Sequence, residues 1–317
     1  MLKTDKLIHL NSGTQLKNSL TEKDVAVISV NPIEFHGPHL PLDTDHLISL
    51  GIVNLVEEKF KEKLNFYYFP AINMGVDPTP GPGTVSTSYQ VLKLTILKIV
   101  KSLIRLGFKN FYFQTFHGAP LHIFAIDDVI IWLRKKGLKA INPFQLILNQ
   151  MLFYNAQDFH ELQIILTDLG HDQKIAAEVT RHLNFDFHGG LVETSLLLAL
   201  GKSDVVHDFQ SVKPVSLLLR KPKLNKIVSW LEKNKFKTLA LEIDFINYVI
   251  CWDQLKPFPG YTGNPQLSNQ SIGQYLLNQH ILPLYHKAIL QEFLGDGCYL
   301  RPSFKMIKYL TLKGHLR

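Results

Sequence analysis

The chain has 317 residues, of which 46% are apolar and 19% are charged, a ratio typical of a folded globular protein. Its two cysteines exclude a disulfide framework and a four-cysteine zinc site. The net charge is +7, but residues 299–317 carry five basic side chains and no acid, so the rest of the chain is nearly neutral. A nucleic-acid-binding protein should carry its basic residues across one face of the body, and we therefore predict no nucleic-acid partner.

The sequence shows neither a secretory signal nor an uninterrupted apolar run of about 18 residues. We therefore predict a cytoplasmic protein with no membrane partner. The basic segment 299–317 is expected to be a solvated segment or a strap packed on the body, with contact to an anionic partner as the alternative.

Strand and helix patterns alternate through the first half of the chain. β-Branched and aromatic runs predict strands at Val25–Val30, Phe66–Ile72, Asn110–Phe116 and Phe144–Leu148. Apolar residues at helical spacing predict helices at Leu47–Leu64, Val91–Leu106 and Leu121–Lys136. Strands separated by such helices predict an α/β fold: a mainly parallel sheet with helices on both faces, in three α/β/α layers.

Polar and turn residues follow three of the predicted strands. Glu34, His36 and Asp45 come after the first strand, a Gly- and Pro-rich segment comes after the second, and His117 comes after the third. In parallel sheets, ligands bind beyond the carboxyl ends of the strands, so we expect a functional site at this edge.

The spacing of these residues is compatible with a metal site. Glu34 and His36 are two residues apart, so in an extended segment they point to the same side, and Asp45 falls at the start of the next helix. An imidazole with two carboxylates suits zinc, manganese or iron. From spacing alone, a helix cap beside surface Glu and His residues is the competing interpretation.

Four blocks of sequence, in the same order, resemble the creatininase (creatinine amidohydrolase) family. Residues 34–45, E-F-H-G-P-H-L-P-L-D-T-D, resemble its E-Q-H-G-P-H-L-P-L-x-T-D signature. Residues 82–84 resemble its P-G-T turn, residues 188–195 its H-[AG]-G-x-x-E-T-S segment, and residues 260–265 its G-x-x-G-[DN]-P stretch, with Gly273 downstream. The resemblance covers roughly residues 20–285 and is weakest over 205–258.

The resemblance implies a single metal-hydrolase domain, here residues 1–298 with an insert-like region at about 205–258, followed by the basic tail 299–317. It also implies two divalent metal ions, with zinc expected before manganese or iron. The matched ligand positions are Glu34, His36, Asp45 and His117, with Asp45 as the bridge. Family members often form hexamers, and a homo-oligomer is expected.

The block around His117 departs from the family pattern. The family has N-G-H-G-G-N there and creatininase has a glutamate two residues after the histidine, whereas this chain has Ala119. The resemblance then implies Glu193 as the replacement ligand or as a catalytic base. His188 matches the candidate proton donor, and His39 is expected to orient the ligand loop.

The predicted function is metal-dependent hydrolysis of a non-peptide C–N bond, in a small cyclic amide or formamide, by a metal-activated water. Asn184 stands where creatininase has a ring-stacking tryptophan, and only Phe185 and Phe187 lie nearby, so creatinine itself is not the expected substrate. The alternative is a creatininase-fold protein that has lost catalysis and binds a metabolite or a protein partner. The absence of a G-x-S-x-G or Walker sequence disfavours a serine hydrolase or nucleotide-binding protein.

Overall fold

A computed structural model describes residues 6–305 and residue 307. The chain divides into two compact units. Unit 1 comprises Met1–Glu34, Asp45–Ile147 and His280–Arg317, and unit 2 comprises Phe35–Thr44 and Leu148–Gln279. Part of the predicted basic tail, residue 306 and residues 308–317, lies outside the described residues. The domain limits and the tail assignment stay predictions.

The described part of unit 1 contains a five-stranded sheet. Its strands are β1 Asp24–Asn31, β2 Asn65–Tyr68, β3 Ile72–Asn73, β4 Asn110–Gln114 and β5 Lys139–Ile141. Their order in the sheet is β2-β1-β4-β5, with β3 paired to β1. β1 pairs in parallel with β2, β3 and β4, and β4 pairs in parallel with β5. The predicted parallel α/β architecture is therefore confirmed.

Helices cover both faces of this sheet. The helices that precede or connect its strands are α1 Gly13–Ser19, α2 Thr44–Phe60, α3 Tyr89–Leu106 and α4 Pro120–Arg134. Ala26, Ile28 and Val30 of β1 belong to one buried cluster with the apolar stripes of α3 and α4. On the opposite face the Ser29 hydroxyl lies 3.0 Å from the His46 ring of α2. The alternation of side chains along β1 thus produces three layers.

The remaining helices follow β5 in chain order. They are α5 Phe144–Leu152, α6 His160–Asp168, α7 Gln173–Arg181, α8 Leu191–Ala199, α9 Pro222–Lys233, α10 Lys237–Asp253, α11 Gln270–Tyr275 and α12 Leu282–Ile289. Single-turn 3-10 segments lie at Ile8–Leu10, Ala156–Phe159, Leu183–Phe185, Ser203–Val205, Phe209–Ser211 and Pro265–Leu267, and π-helical turns at Leu276–Ile281 and Leu290–Leu294. Within the described residues no helix has the length and apolar character to cross a membrane.

The prediction of a strand at Phe144–Leu148 was wrong. These residues begin α5, and the strand lies earlier, at Lys139–Ile141. The side chain of Asn142 accepts a hydrogen bond from the backbone N–H of Phe144, which favours the start of a helix there. A short apolar run is compatible with either a buried strand or a buried helix, so its periodicity alone could not decide.

Unit 2 has its own apolar cluster, formed by Phe185, Leu217, Tyr248 and Trp252. Tyr248 and Trp252 come from α10, and Phe187 packs against the cluster from the segment that leads into α8. α8 and α11 pack closely in the same unit, because Gly273 of α11 lies against the backbone of Ser195.

Candidate metal and catalytic site

The carboxyl edge of the sheet in unit 1 brings together three predicted ligands. β1 ends at Asn31, three residues before Glu34, and β4 ends at Gln114, three residues before His117. Asp45 is the second residue of α2. One possible donor atom from each of Glu34, Asp45 and His117 lies within 4.8 Å of the others, and all three residues are buried. We call these residues the unit 1 triad.

The His117 ring is held in one orientation by the backbone. Its Nε2 lies 3.0 Å from the carbonyl oxygen of Val76, and because a carbonyl only accepts, Nε2 carries a proton. Nδ1 therefore faces the carboxylates, 2.9 Å from Glu34 Oε2 and 3.8 Å from Asp45 Oδ2. Burial alone would lower the pKa of His117, but the charges of Glu34 and Asp45 outweigh it and raise that pKa to about 9.

This geometry fits a divalent metal ion. With Nε2 protonated, a neutral His117 would point the Nδ1 lone pair at two carboxylates, which is unfavourable unless a cation lies between them. Either a second proton or a metal ion can supply that positive charge. One imidazole nitrogen and two carboxylates form a donor set suited to zinc, manganese or iron.

A second histidine, His122, lies beside His117 without being a predicted ligand. Its ring is fully buried and stands edge-on to His117, with 4.9 Å between the ring centroids. The backbone N–H of Val76 donates to His122 Nδ1 over 3.4 Å, and His122 Nε2 lies 3.2 Å from the carbonyl oxygen of Val30. Burial lowers the pKa of His122 well below its ordinary value, so the ring is neutral. Both histidines thus bind the backbone of Val76.

Unit 2 brings together the other three predicted residues. His36 Nε2 lies 3.6 Å from Glu193 Oε2, and both side chains are buried. The His36 and His188 rings are 4.1 Å apart between centroids and tilted by 30°. Glu193, in the first turn of α8, accepts a hydrogen bond from the Gly189 N–H over 2.6 Å, which fixes the carboxylate beside His36.

His188 is oriented through both its backbone and its ring. Its Nε2 donates to the carbonyl oxygen of Phe35 over 2.8 Å, and its N–H donates to Thr262 Oγ1. The proton on Nε2 is therefore committed to a backbone carbonyl, and Nδ1 is the nitrogen that can accept or release a further proton. The Trp252 indole packs against the same ring with 5.7 Å between centroids.

His39 ties the segment 35–44 to the start of α8. Its Nε2 lies 2.9 Å from the Gly189 carbonyl oxygen and 3.2 Å from Thr194 Oγ1. Burial lowers the pKa of His39 to about 4, against a smaller opposing effect of the Gly189 hydrogen bond. The ring is therefore neutral at physiological pH and acts as a fixed hydrogen-bond donor.

The sequence of the chain matches a known family over most of its length. Residues 10–282 match the Creatininase family model, described as creatinine amidohydrolase. The chain belongs to the creatininase family. The predicted membership is confirmed, and it makes the protein a relative of a hydrolase. No curated protein matches the sequence.

Solved creatininase structures share this family fold. A mutant creatininase of Zn-Zn type is 17% identical, with a TM-score of 0.55, covering 91% of this chain and 98% of that one. A creatininase described with Mn is 17% identical, with a TM-score of 0.54, covering 89% and 94%. A candidate creatinine amidohydrolase from Bacteroides fragilis is 16% identical, with a TM-score of 0.58, covering 94% and 100%. At these identities the likeness concerns the fold.

Two residues of the candidate site were missed by sequence reasoning. His122 follows His117 by five residues, which gave no recognisable ligand spacing. Trp252 lies in the region 205–258, where the family resemblance is weakest, and only the tertiary structure brings it to His188. Phe185 and Phe187 are the aromatic residues that the sequence places near Asn184, where they could contact a planar substrate. Both pack against Tyr248 of the unit 2 cluster.

Proposed function

We propose that the protein is a metal-dependent amidohydrolase that hydrolyses the C–N bond of a small cyclic amide or formamide. The observation that carries the proposal is the unit 1 triad, in which a buried imidazole and two buried carboxylates converge. Membership of the creatininase family supports the reaction class. The proposed ligands are Glu34, His36, Asp45, His117 and Glu193, for two divalent ions, with zinc first and manganese as the alternative.

The unit 1 triad is proposed to hold one ion, with Asp45 shared between two. His36 and Glu193 are the proposed further ligands, and they stay beside each other because the Gly189 N–H fixes the carboxylate. Glu193 supplies the carboxylate that Ala119 does not. When bound, the metal ions would polarise the amide carbonyl and lower the pKa of water to generate the nucleophile.

The proposed role of His188 is to deliver a proton to the leaving nitrogen. Because Nε2 is engaged by the Phe35 carbonyl oxygen, the transferable proton must be carried on Nδ1. The neighbouring Trp252 and His36 rings limit the motion of the His188 side chain. Glu193 could instead accept the proton of the attacking water, and we propose it as the second catalytic residue.

The proposed substrate is a small amide. We propose that the enzyme is a cytoplasmic homo-oligomer, and the family suggests a hexamer.

The competing proposal is a creatininase-fold protein that has lost catalysis and binds a metabolite or protein. The observation behind it is Ala119, which lies where creatininase has a glutamate and immediately precedes α4.

Turnover of an amide panel by the metal-loaded protein tests the proposal. The panel contains lactams, cyclic ureides and formamides, and is run with wild type, Asp45→Asn and Asp24→Asn. Asp24 is a buried carboxylate at the start of β1 that binds the Asn65 side chain, so its replacement controls for the loss of a buried charge. We expect turnover in wild type and Asp24→Asn and none in Asp45→Asn. Bound metal without turnover of any amide would favour the non-catalytic alternative.

A further inference from the structure

The hairpin formed by α9 and α10 carries exposed aromatic side chains. Trp230 is 58% exposed and Phe236 is 55% exposed, and their rings stack with 6.4 Å between centroids. Ile227, 47% exposed, precedes Trp230 by three residues and so lies on the same side of α9. We call Ile227, Trp230 and Phe236 the hairpin patch.

The hairpin patch is surrounded by lysines. Residues 221–238 contain six lysines, at positions 221, 223, 226, 233, 235 and 237, and a single acid, Glu232. Lys223, Lys226 and Lys233 lie seven, four and three residues from Trp230, so they share its side of the helix. The face of α9 that presents Trp230 is therefore strongly cationic.

Contacts outside the patch hold the two helices of the hairpin together. Leu231 is the buried anchor of α9. Asn247 of α10 accepts a hydrogen bond from the Lys221 N–H and donates to the Asn225 side chain over 2.9 Å. Arg220 forms a two-point ion pair with Asp244. These contacts fix the two helices. An exposed apolar patch of this kind is typical of a surface that binds a partner.

We propose that the hairpin patch docks on the surface of an anionic lipid bilayer. Ile227 and Trp230 lie on α9, and Phe236 lies in the turn just before α10. Aromatic and aliphatic side chains that enter the lipid headgroup region, beside lysines attracted to anionic lipids, are features of segments that lie in a membrane interface. Lysine stems can lie along the acyl boundary while their ammonium groups reach the phosphates. The proposal departs from the prediction of no membrane partner, and it concerns peripheral binding only.

Charge and ring geometry favour a bilayer over other occupants. A second copy meeting the patch face to face would place six lysines against six, with one acid on each side to offset them. A single-stranded nucleic acid binds by stacking successive bases on aromatic faces, whereas the Trp230 and Phe236 rings stack on each other, so each ring keeps only its outer face for a base. The exposed cations of the hairpin are also lysines rather than the planar arginines that suit bidentate phosphate recognition.

Vesicle co-sedimentation of the full chain tests the proposal. The vesicles are phosphatidylcholine alone or phosphatidylcholine with phosphatidylserine, at low and high salt. We expect binding only to the anionic vesicles, loss of binding in high salt, and a blue shift of tryptophan emission. The chain has three tryptophans; Trp252 is buried and Trp230 is highly exposed, so Trp230→Phe should remove the shift.

Variants distinguish the outcomes. Lys226→Gln and Lys233→Gln should each weaken binding about fivefold, because each lysine contributes one favourable charge at the surface. Trp230→Ser and Phe236→Ser should weaken it further, whereas Phe153→Ser, which changes a phenylalanine of similar exposure (54%) outside the hairpin, should not.

Equal binding to neutral vesicles, or no binding, would overturn the proposal. So would a Trp230-dependent dimer in sedimentation velocity or Trp230-dependent binding to single-stranded RNA. Amide hydrolysis is measured separately in the same variants, so the two proposals fail independently.

Discussion

His117 and His122 show how one backbone segment can set the direction of a candidate ligand. Val76 accepts a hydrogen bond from His117 through its carbonyl and donates one to His122 through its N–H. The neutral His122 ring therefore holds the N–H side of Val76, the residue whose carbonyl on the other side holds His117. Residues that orient metal ligands in this way affect metal affinity without touching the metal.

Replacing His122 should weaken metal binding while leaving the fold intact. We expect His122→Phe to raise the metal dissociation constant about 10- to 100-fold, because Val76 loses a fixed partner and His117 gains freedom. His122→Gln, which keeps an acceptor, should recover part of the affinity. The measurement is chelator competition, with circular dichroism as the control for folding. Wild-type affinity in His122→Phe would contradict this role.

The buried His39 ring predicts a loss of stability in acid. Its pKa is about 4 in the folded protein and 6.5 in a free histidine, so its contribution is complete above pH 6.5 and is lost as the pH falls toward 4. The difference corresponds to on the order of 3 kcal/mol at the acid end. The free energy of unfolding of wild type relative to His39→Gln should therefore decrease between pH 7 and pH 4. A constant difference over that range would show that His39 does not titrate as described.

The position of the candidate site at the sheet edge could be predicted from local geometry, whereas the ligand set and the roles of His188 and Glu193 came from the family resemblance and stay predictions. Glu34 and His117 each follow a parallel strand by three residues, so their convergence in unit 1 follows from the topology. His122 and Trp252 could not be predicted. Their roles depend on a backbone hydrogen bond and on a tertiary contact, and neither leaves a spacing in the sequence.

At the scale of elements, α8 and α11 are packed so closely that only glycine fits at position 273. A Cβ built on Gly273 would lie 1.9 Å from the Ser195 carbonyl oxygen, a backbone atom that cannot move aside without shifting α8. Gly273→Ala should therefore destabilise the protein by about 2 kcal/mol or more.

Gly13→Ala is the matched control for that substitution. Gly13 is the first residue of α1, and a Cβ there would meet only Leu106 at an ordinary 3.8 Å. Alanine should stabilise this helix by about 0.5–1 kcal/mol. Urea unfolding of both variants measures the two effects. Equal stability of Gly273→Ala and wild type would mean that the helices can separate at little cost.

Helices and strands were predicted best where apolar residues repeat at a regular spacing over many residues. α3 begins at Tyr89 and ends at Leu106, close to the predicted Val91–Leu106. The short runs were less informative: the predicted strand Phe66–Ile72 is two strands, Asn65–Tyr68 and Ile72–Asn73, separated by a break that contains Pro70. Proline has no N–H to donate to a neighbouring strand, so a continuous pairing through it is unfavourable.

At the scale of the whole molecule, the aromatic side chains predict a substrate preference different from that of creatininase. The family resemblance implies that Asn184 stands where creatininase has a ring-stacking tryptophan, and Phe185 and Phe187 pack in the unit 2 cluster. We expect weak or absent creatinine turnover, because losing such a planar contact would cost about 1–3 kcal/mol. Steady-state kinetics measures it. A kcat/KM for creatinine of about 10⁴ M⁻¹s⁻¹ or higher would refute this expectation.

Elemental analysis of the purified protein shows whether the buried carboxylates and imidazoles hold metal. The protein is purified without added metal or chelator, and the bound divalent metal is quantified per chain for wild type, Asp45→Asn and Asp24→Asn. We predict one to two ions, chiefly zinc or manganese, in wild type and Asp24→Asn, and a clear loss in Asp45→Asn. Metal-free wild-type protein that also fails to bind added zinc or manganese would show that these side chains do not form a metal site, and full metal retention in Asp45→Asn would show that Asp45 is not a ligand.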